Sequence, residues 1–290
     1  MKSILVPVDF SVHTHVYCQY ALLIAKETGA GITLFHSFFD QVYISDAGFN
    51  AGFESGMVLT DEIMLDKHSQ KENLLSELAE EMLSSLKEQG ANGIKVEYMI
   101  SNGDPEVQII EAVRQLEPDL IIMGSSGLGR KRWLTGSVAK KIINHVNIPV
   151  IAVPELDEAP SVKNLAYMTN FDPSDHEVIT ELESILATFR VNIFCIHLTD
   201  DSESVNPQQE MDKLSGNLSH RYFKNRISFH ILSAEDNQEP LRIFMDENKI
   251  DILAFIPHKR NIFKNLVFQG LTKEDLFLFR IPVMAIKPSN

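Results

Sequence analysis

Asp119-Leu120-Ile121-Ile122-Met123-Gly124-Ser125-Ser126-Gly127 is an apolar run that opens on an acid and breaks at two glycines. Such a run reads as a buried strand. Its Gly-x-x-Gly ending lets a backbone approach a ligand without side-chain interference. Eight residues separate Gly127 from Gly136-Ser137, which opens an amphipathic segment with Val138, Ile142, Ile143 and Val146 on one helical face. A helix opening presents unpaired N–H groups and the positive end of the dipole, which suits a phosphate. Arg130, Lys131 and Arg132 lie between glycines and helix. The stretch therefore reads as an anion-binding loop at the carboxyl edge of a parallel sheet.

Two familiar phosphate motifs do not apply. Gly124 and Gly129 have P-loop separation, but Arg130-Lys131 follows where Lys-Ser/Thr is required. The dinucleotide fingerprint from Gly127 finds Gly129 and then Arg132 in place of its third glycine.

Working outward, Ile4 to Val8 is a short apolar run ending at Asp9, and Ile32 to Phe35 is a second one. Val16, Tyr20, Leu23 and Ile24 recur at helical spacing until Gly29 stops them. Leu75, Leu78, Met82 and Leu86 predict a long helix within 61–88, and Ile94 to Ile100 a third strand. Asp104-Pro105-Glu106 is a helix start: an N-cap, a proline at the first position and an acid in the first turn. Leu120 to Met123 and Val150 to Val153 complete five strands. Strands alternating with helices predict an α/β fold with a doubly wound parallel sheet. Ligands gather outside the carboxyl ends of such strands, where Asp9, Ser37 and Gly124 all fall.

The pattern then repeats. Leu165 to Phe171 echoes Leu5 to Phe10, with Asn170 in the place of Asp9, and Phe194 to His197 echoes Thr33 to His36. Asp251 to Ile256 echoes Asp119 to Gly124, and Ile281 to Ile286 echoes Ile148 to Val153. The reading is two domains, 1–154 and 162–290, joined by an acidic, proline-bearing linker at 155–161. The second copy is degenerate: Ile256 stands for Gly124 and Lys259 for Gly127. His258, Lys259, Arg260, Lys264 and Gly270 remain there, as a solvated surface or an altered anion site.

Ile4-Leu-Val-Pro7-Val-Asp9-Phe-Ser11, Leu34-Phe-His36, Asp119 to Gly127, Gly136-Ser-Val and Asn147 to Val153 together resemble the universal stress protein family, in its tandem two-domain form. The family's nucleotide-binding members carry Gly-x2-Gly-x9-Gly-Ser/Thr; here the second spacer is eight residues. The resemblance implies two tandem Rossmann-like (adenine nucleotide alpha hydrolase-like) domains, each a five-stranded parallel sheet flanked by helices. It implies ATP, or ADP or AMP, in the first domain, with Asp9 toward the adenosine part, Pro7 and Val8 walling the base, and Ser37 giving a backbone contact. Met123, Gly124, Ser125, Gly127, Arg130, Gly136, Ser137 and Val138 would surround the phosphates. It further implies a stress-response regulator that changes shape or partner with nucleotide, and fifth strands that pair edge to edge, giving a pseudo-symmetric monomer or a homodimer. The protein partner is not identifiable from the sequence.

Individual residues keep second readings. Asp9 would also suit a helix cap, and Ser137 can cap while it binds. Arg130 is either a phosphate ligand or solvent-exposed. His36 and His197 follow apolar runs and read as packing or hydrogen-bonding residues. His13 and His15 lack the carboxylate or Cys that a metal site needs. No Ser/His/Asp series or paired carboxylates emerge, and Mg²⁺ has no clear ligand set, so any ATP hydrolysis is expected to be slow. Residues 38–60, with five aromatics among three glycines, read as an insertion that covers the ligand, packs on a partner or covers the core edge.

Composition bounds the rest. A chain of 290 residues can bury two cores. A net charge of −14 argues against nucleic acid, although Arg130 to Arg132, Lys140 and Lys141 make a local basic patch. The two cysteines, Cys18 and Cys195, lie far apart and read as free thiols in a reducing compartment. With no membrane-spanning run, the cytoplasm is expected. The alternative to a nucleotide-binding regulator is a nucleotide-free interaction module of the same fold.

Overall fold

A computed structural model of the chain describes residues 1–38, 53–125, 137–156, 159–199, 206–218, 226–233, 239–257 and 280–288; the side chains of 53–67, Ser137 and Asn217 lie outside that description. The first half runs β1 (Ser3–Pro7), α1 (Thr14–Thr28), β2 (Gly31–Phe38), α2 (Phe53–Glu88), β3 (Val96–Asn102), α3 (Pro105–Leu116), β4 (Leu120–Gly124), α4 (Ser137–His145) and β5 (Val150–Val153). The second half runs β6 (Asn164–Met168), α5 (Asp175–Ile185), β7 (Asn192–Thr199), α6 (Pro207–Leu218), β8 (Ile227–Ser233), α7 (Glu239–Glu247), β9 (Ile252–Phe255) and β10 (Val283–Ala285).

Each half contributes five strands to one ten-stranded sheet, in the order β3-β2-β1-β4-β5-β10-β9-β6-β7-β8. Every neighbouring pair is parallel except at the centre, where β5 and β10 run antiparallel with Val283 opposite Ala152, Met284 opposite Ile151 and Ala285 opposite Val150. The edge-to-edge pairing implied by the resemblance is thus made within one chain. Strand alternation divides the core into two layers. Ile4, Val6, Leu120, Ile122, Ile151, Tyr167 and Met284 face the layer shared with α1, α2, α5 and α6. Leu5, Ile121, Met123, Val150, Ala152 and Ala285 face the layer shared with α3, α4 and α7. Both layers run through both halves without a break at the seam.

Helix ends follow local chemistry. Asp104 caps α3, its Oδ1 accepting from the amides of Glu106 and Val107 at 3.0 and 3.2 Å. Gly29 closes α1 at φ 74°, a left-handed conformation that costs glycine nothing. Three expectations shift. Helix α2 starts at Phe53 rather than near 61 and so takes in Gly56, because extending a formed helix outweighs one glycine's cost of about 1 kcal/mol. Strand β3 lies two residues later than its apolar alternation suggests, since its register with β2 runs from Ile32–Val96 to Phe38–Asn102. Leu165 sits opposite Ile193 as Ile4 sits opposite Ile32, so the repeat aligns Leu165 with Ile4 rather than Leu5. Residues 39–52 of the expected insertion lie outside the described residues.

The acid that opens the diagnostic stretch is structural. Asp119 Oδ2 accepts from the amides of Lys2 and Ser3 at 2.5 and 2.9 Å, and Asp251 Oδ2 repeats this with Lys163 and Asn164 at 2.7 and 2.8 Å. Each carboxylate satisfies the first amides of the neighbouring strand, at the end of the sheet opposite the glycines.

Candidate functional site

In the first half the strand order reverses direction between β1 and β4, so a crevice opens where their carboxyl ends diverge. On one side stand Pro7, Val8 and Asp9, and on the other Met123, Gly124 and Ser125. Val8 and Met123 are buried, and Gly124 pairs with Val153. Ser37 lies near the end of β2, in register with Ser101. Helix α4 begins at Ser137 and lays Ile142, Ile143 and Val146 into the core with Val138 packed beside them. Gly127, Arg130, Gly136, the side chain of Ser137, and Lys131 and Arg132 lie outside the described residues, as do His258, Lys259, Arg260, Lys264 and Gly270 of the second copy.

Asp9 is held from within. Its Oδ1 accepts from the Ser11 amide at 3.1 Å, Thr14 Oγ1 at 3.3 Å and the Tyr17 hydroxyl at 3.0 Å. It is not the N-cap of α1; His13 occupies that place and makes no side-chain cap bond. The carboxylate instead folds the β1–α1 loop, and its Oδ2 takes no hydrogen bond among the described residues. Burial pushes the pKa of the Tyr17 hydroxyl well up, with the Asp9 charge adding to the effect, so Tyr17 remains a donor.

His36 closes the other flank. Its Nδ1 lies 2.7 Å from the Val8 carbonyl, and its ring meets Phe10 edge-on at 4.7 Å. A carbonyl requires a proton on Nδ1, so in the neutral ring Nε2 is an acceptor. Burial holds the His36 pKa below its ordinary value, and the nearby Lys71 charge lowers it further against the opposing Val8 bond. Phe10 takes φ 54°, a strained conformation costing about 1–3 kcal/mol for a bulky residue. The second half copies the whole device: His197 Nδ1 lies 3.0 Å from the Thr169 carbonyl, on Phe171 at φ 57°. His36 and His197 are packing and hydrogen-bonding residues in both halves.

The halves part company in polar satisfaction. Among the described residues, three buried side-chain atoms have no hydrogen-bond partner: Ser11 Oγ, His36 Nε2 and Ser125 Oγ. All three lie at carboxyl ends of first-half strands or just beyond, and Ser125 and His36 are only 1% and 7% exposed. Their second-half counterparts are Asp172, which accepts from the Ser174 amide at 2.8 Å, His197, which has partners, and Pro257, which has no polar side chain.

The second half also fills its own strand end. Tyr167 donates to Asp175 Oδ1 at 2.5 Å, Thr169 donates to Asp175 Oδ2, and Asp175 is 1% exposed. Burial raises the Asp175 pKa against the lowering pull of those two bonds. A carboxyl whose pKa is raised on folding stabilises the fold below its unfolded pKa of about 3.9 and loses that contribution as pH rises through the folded value. Asp175→Asn, which cannot ionise, should therefore gain on the wild type between pH 4 and pH 7. Thermal midpoints across that range check this; a difference independent of pH would show that Asp175 does not titrate with a raised pKa.

Two polar contacts escaped the sequence reading. Lys71 of α2 places Nζ over the Phe10 ring, 5.0 Å from its centroid, beside His36. His13 Nε2 meets Glu155 Oε1 at 2.7 Å, joining the β1–α1 loop to the segment after β5. Of the expected basic patch, Lys141 is engaged by Glu106 of α3, and that bond raises its pKa. Burial pushes the Cys18 thiol up to about 12 and Cys195 well up, so neither is a ready nucleophile. Among the described residues no three His, Cys, Asp or Glu side chains form a metal-ligand group, and no helix is long and apolar enough to cross a membrane.

Residues 1–154 match the model of the universal stress protein family. Stress response protein NhaX of Bacillus subtilis is 30% identical over 162 residues, covering 52% of this chain and 96% of that protein. A universal stress protein of Methanocaldococcus jannaschii is 28% identical over 155 residues, covering 52% of this chain and 81% of its own length. Along nearly the whole chain, the crystal structure of a universal stress protein from Archaeoglobus fulgidus superposes with a TM-score of 0.69 at 18% identity, covering 99% of this chain and 97% of that one. At that identity the likeness concerns the fold, two tandem α/β units.

Proposed function

Because the chain belongs to the universal stress protein family, we propose that its first domain, residues 1–154, binds ATP or a related adenine nucleotide and that the protein is a stress-response regulator, not a fast enzyme. The observation that carries this reading is the set of buried atoms without a partner among the described residues, Ser11 Oγ, His36 Nε2 and Ser125 Oγ, around the β1–β4 crevice, with their second-half counterparts satisfied or replaced. Buried polar atoms without partners are rare and call for an external one.

In this reading Pro7 and Val8 wall the base, Asp9 Oδ2 accepts from the ribose, and the Ser37 backbone contacts the nucleoside. The Ser125 hydroxyl, backbone amides of the Gly124–Gly127 loop beyond the one Ser125 gives to Val153, and the Gly136-Ser137 opening of α4 hold phosphates, with Met123 and Val138 beneath and Arg130 as a matching cation. The eight-residue spacer shortens the loop between those amides. Any ATP hydrolysis is slow in this reading. The second domain, 162–290 beyond the 155–161 linker, binds no nucleotide, since Ile256 occupies the place of Gly124. The alternative, a nucleotide-free interaction module, draws on Asp9 Oδ1 being already committed to Ser11, Thr14 and Tyr17.

Heat-denaturing the purified protein and identifying released nucleotide by chromatography and mass spectrometry separates the two. Near-stoichiometric ATP, ADP or AMP is the expected result. An empty protein whose thermal midpoint also ignores millimolar ATP would leave the interaction module standing.

A further inference from the structure

Lys287 follows the last strand of the second half, yet its ammonium group ends on a helix of the first. Nζ donates to the Asn144 carbonyl at 3.1 Å and to the Val146 carbonyl, at the carboxyl end of α4. A lysine there complements the negative end of the helix dipole and satisfies carbonyls left over by the last turn. The opposite end of the same nine-residue helix is the Ser137 opening. The second half also braces the other arm of the crevice: β10 pairs with β5 through Ala152, and the β5 carbonyl of Val153 accepts from the Ser125 amide at 2.9 Å.

From this we infer that the second half is a positioning element for the first half's anion site, with Lys287 as the residue that sets α4. The inference rests on the nucleotide reading above. Helix α4 is seated on the core by Ala139, Ile142, Ile143 and Val146, so its two ends move together. A ligand phosphate at the amino end and Lys287 at the carboxyl end then favour the same placement of one rigid element. Such coupling is reciprocal: whatever Lys287 contributes to nucleotide affinity, bound nucleotide returns to the Lys287 contact. The loss of the glycine motif from the second copy is thereby compatible with a continuing role for that copy.

The test uses the full chain with ATP as the probe. By calorimetric titration, Lys287→Met should bind ATP about fivefold more weakly, while Lys287→Arg restores affinity to within about twofold. Arg242→Met should leave affinity unchanged, because Arg242 is exposed on α7 and, among the described residues, pairs with its helix neighbours Glu239 and Asp246. Hydrogen exchange gives the reciprocal readout: ATP should increase protection of the 283–287 segment in the wild type and not in Lys287→Met. Equal ATP affinity in wild type and Lys287→Met, with unchanged protection of that segment, would overturn the inference. If wild type binds no adenine nucleotide, the site reading itself fails. The clamp is then judged by ligand-free exchange of α4, where unaltered protection in Lys287→Met overturns it. Should Lys287→Met not fold, Lys287→Gln supplies the same comparison.

Discussion

Gly124→Ile should cost the first domain about a hundredfold or more in ATP affinity while leaving the protein as stable as before, because it copies what the second half already contains. The strand registers make Ile256 the counterpart of Gly124: Leu253 and Ile121 take matching hydrogen bonds from their amides to the Pro282 and Pro149 carbonyls, at 3.0 Å each. Ile256 is partly buried against the α1/α2/α5/α6 core layer, so a side chain at this point of the fold lies over the strand end. In the first half the same side chain would stand in the crevice between Asp9 and Ser125. Replacing a strand glycine by a β-branched residue favours the strand by a few tenths to about 1 kcal/mol, so the variant separates binding from folding. Titration with ATP beside a thermal melt reads both. Retained affinity in a folded Gly124→Ile protein would remove the phosphates from the end of β4. Gly127→Lys, which imports Lys259, tests the second glycine in the same way.

The largest stability loss is expected at the seam. Met284 is 0% exposed and lies at the middle of a three-residue strand hydrogen-bonded on both sides, to β5 and to β9. Met284→Asp puts a carboxylate into that apolar core, at a cost of about 3–5 kcal/mol. Domains of ordinary stability have about 5–15 kcal/mol in hand. Met284→Leu keeps the volume and should cost under about 1.5 kcal/mol. Urea unfolding followed by two probes, one in each half, is the measurement. The aspartate variant should have a lower midpoint and split the transition, since both core layers run through the seam. Coincident transitions at the wild-type midpoint would mean the halves are stable without their shared strands.

The parts of this architecture that were legible from sequence are those set by local pattern. The apolar runs, the Asp104-Pro105 start and the Gly29 stop all depend on neighbours within one turn or one strand. The edge-to-edge pairing of 150–153 with 283–286 was an expectation carried by the family resemblance, and the repeat located the two strands. What was not legible depends on residues far apart in the chain. Asp119 reaches amides 116 and 117 residues away, and Lys287 reaches carbonyls more than 140 residues away. Lys71 is one cation on the polar side of a long helix until Phe10 turns left-handed beneath it. The site residues between 126 and 136 were named from the motif alone, and their placement rests on the titrations above.

The antiparallel junction of β5 and β10 has a consequence for how this molecule behaves in dilution. Two separate chains joined along such an edge would part as their concentration fell below the dissociation constant. Here the ten residues between β5 and β6, 154–163, keep the two edges at a local concentration of about millimolar whatever the abundance of the protein. A cell that makes only a few copies therefore has them fully assembled. A substitution in one copy also never has to be mirrored in the other, so a glycine could become Ile256 on one side only.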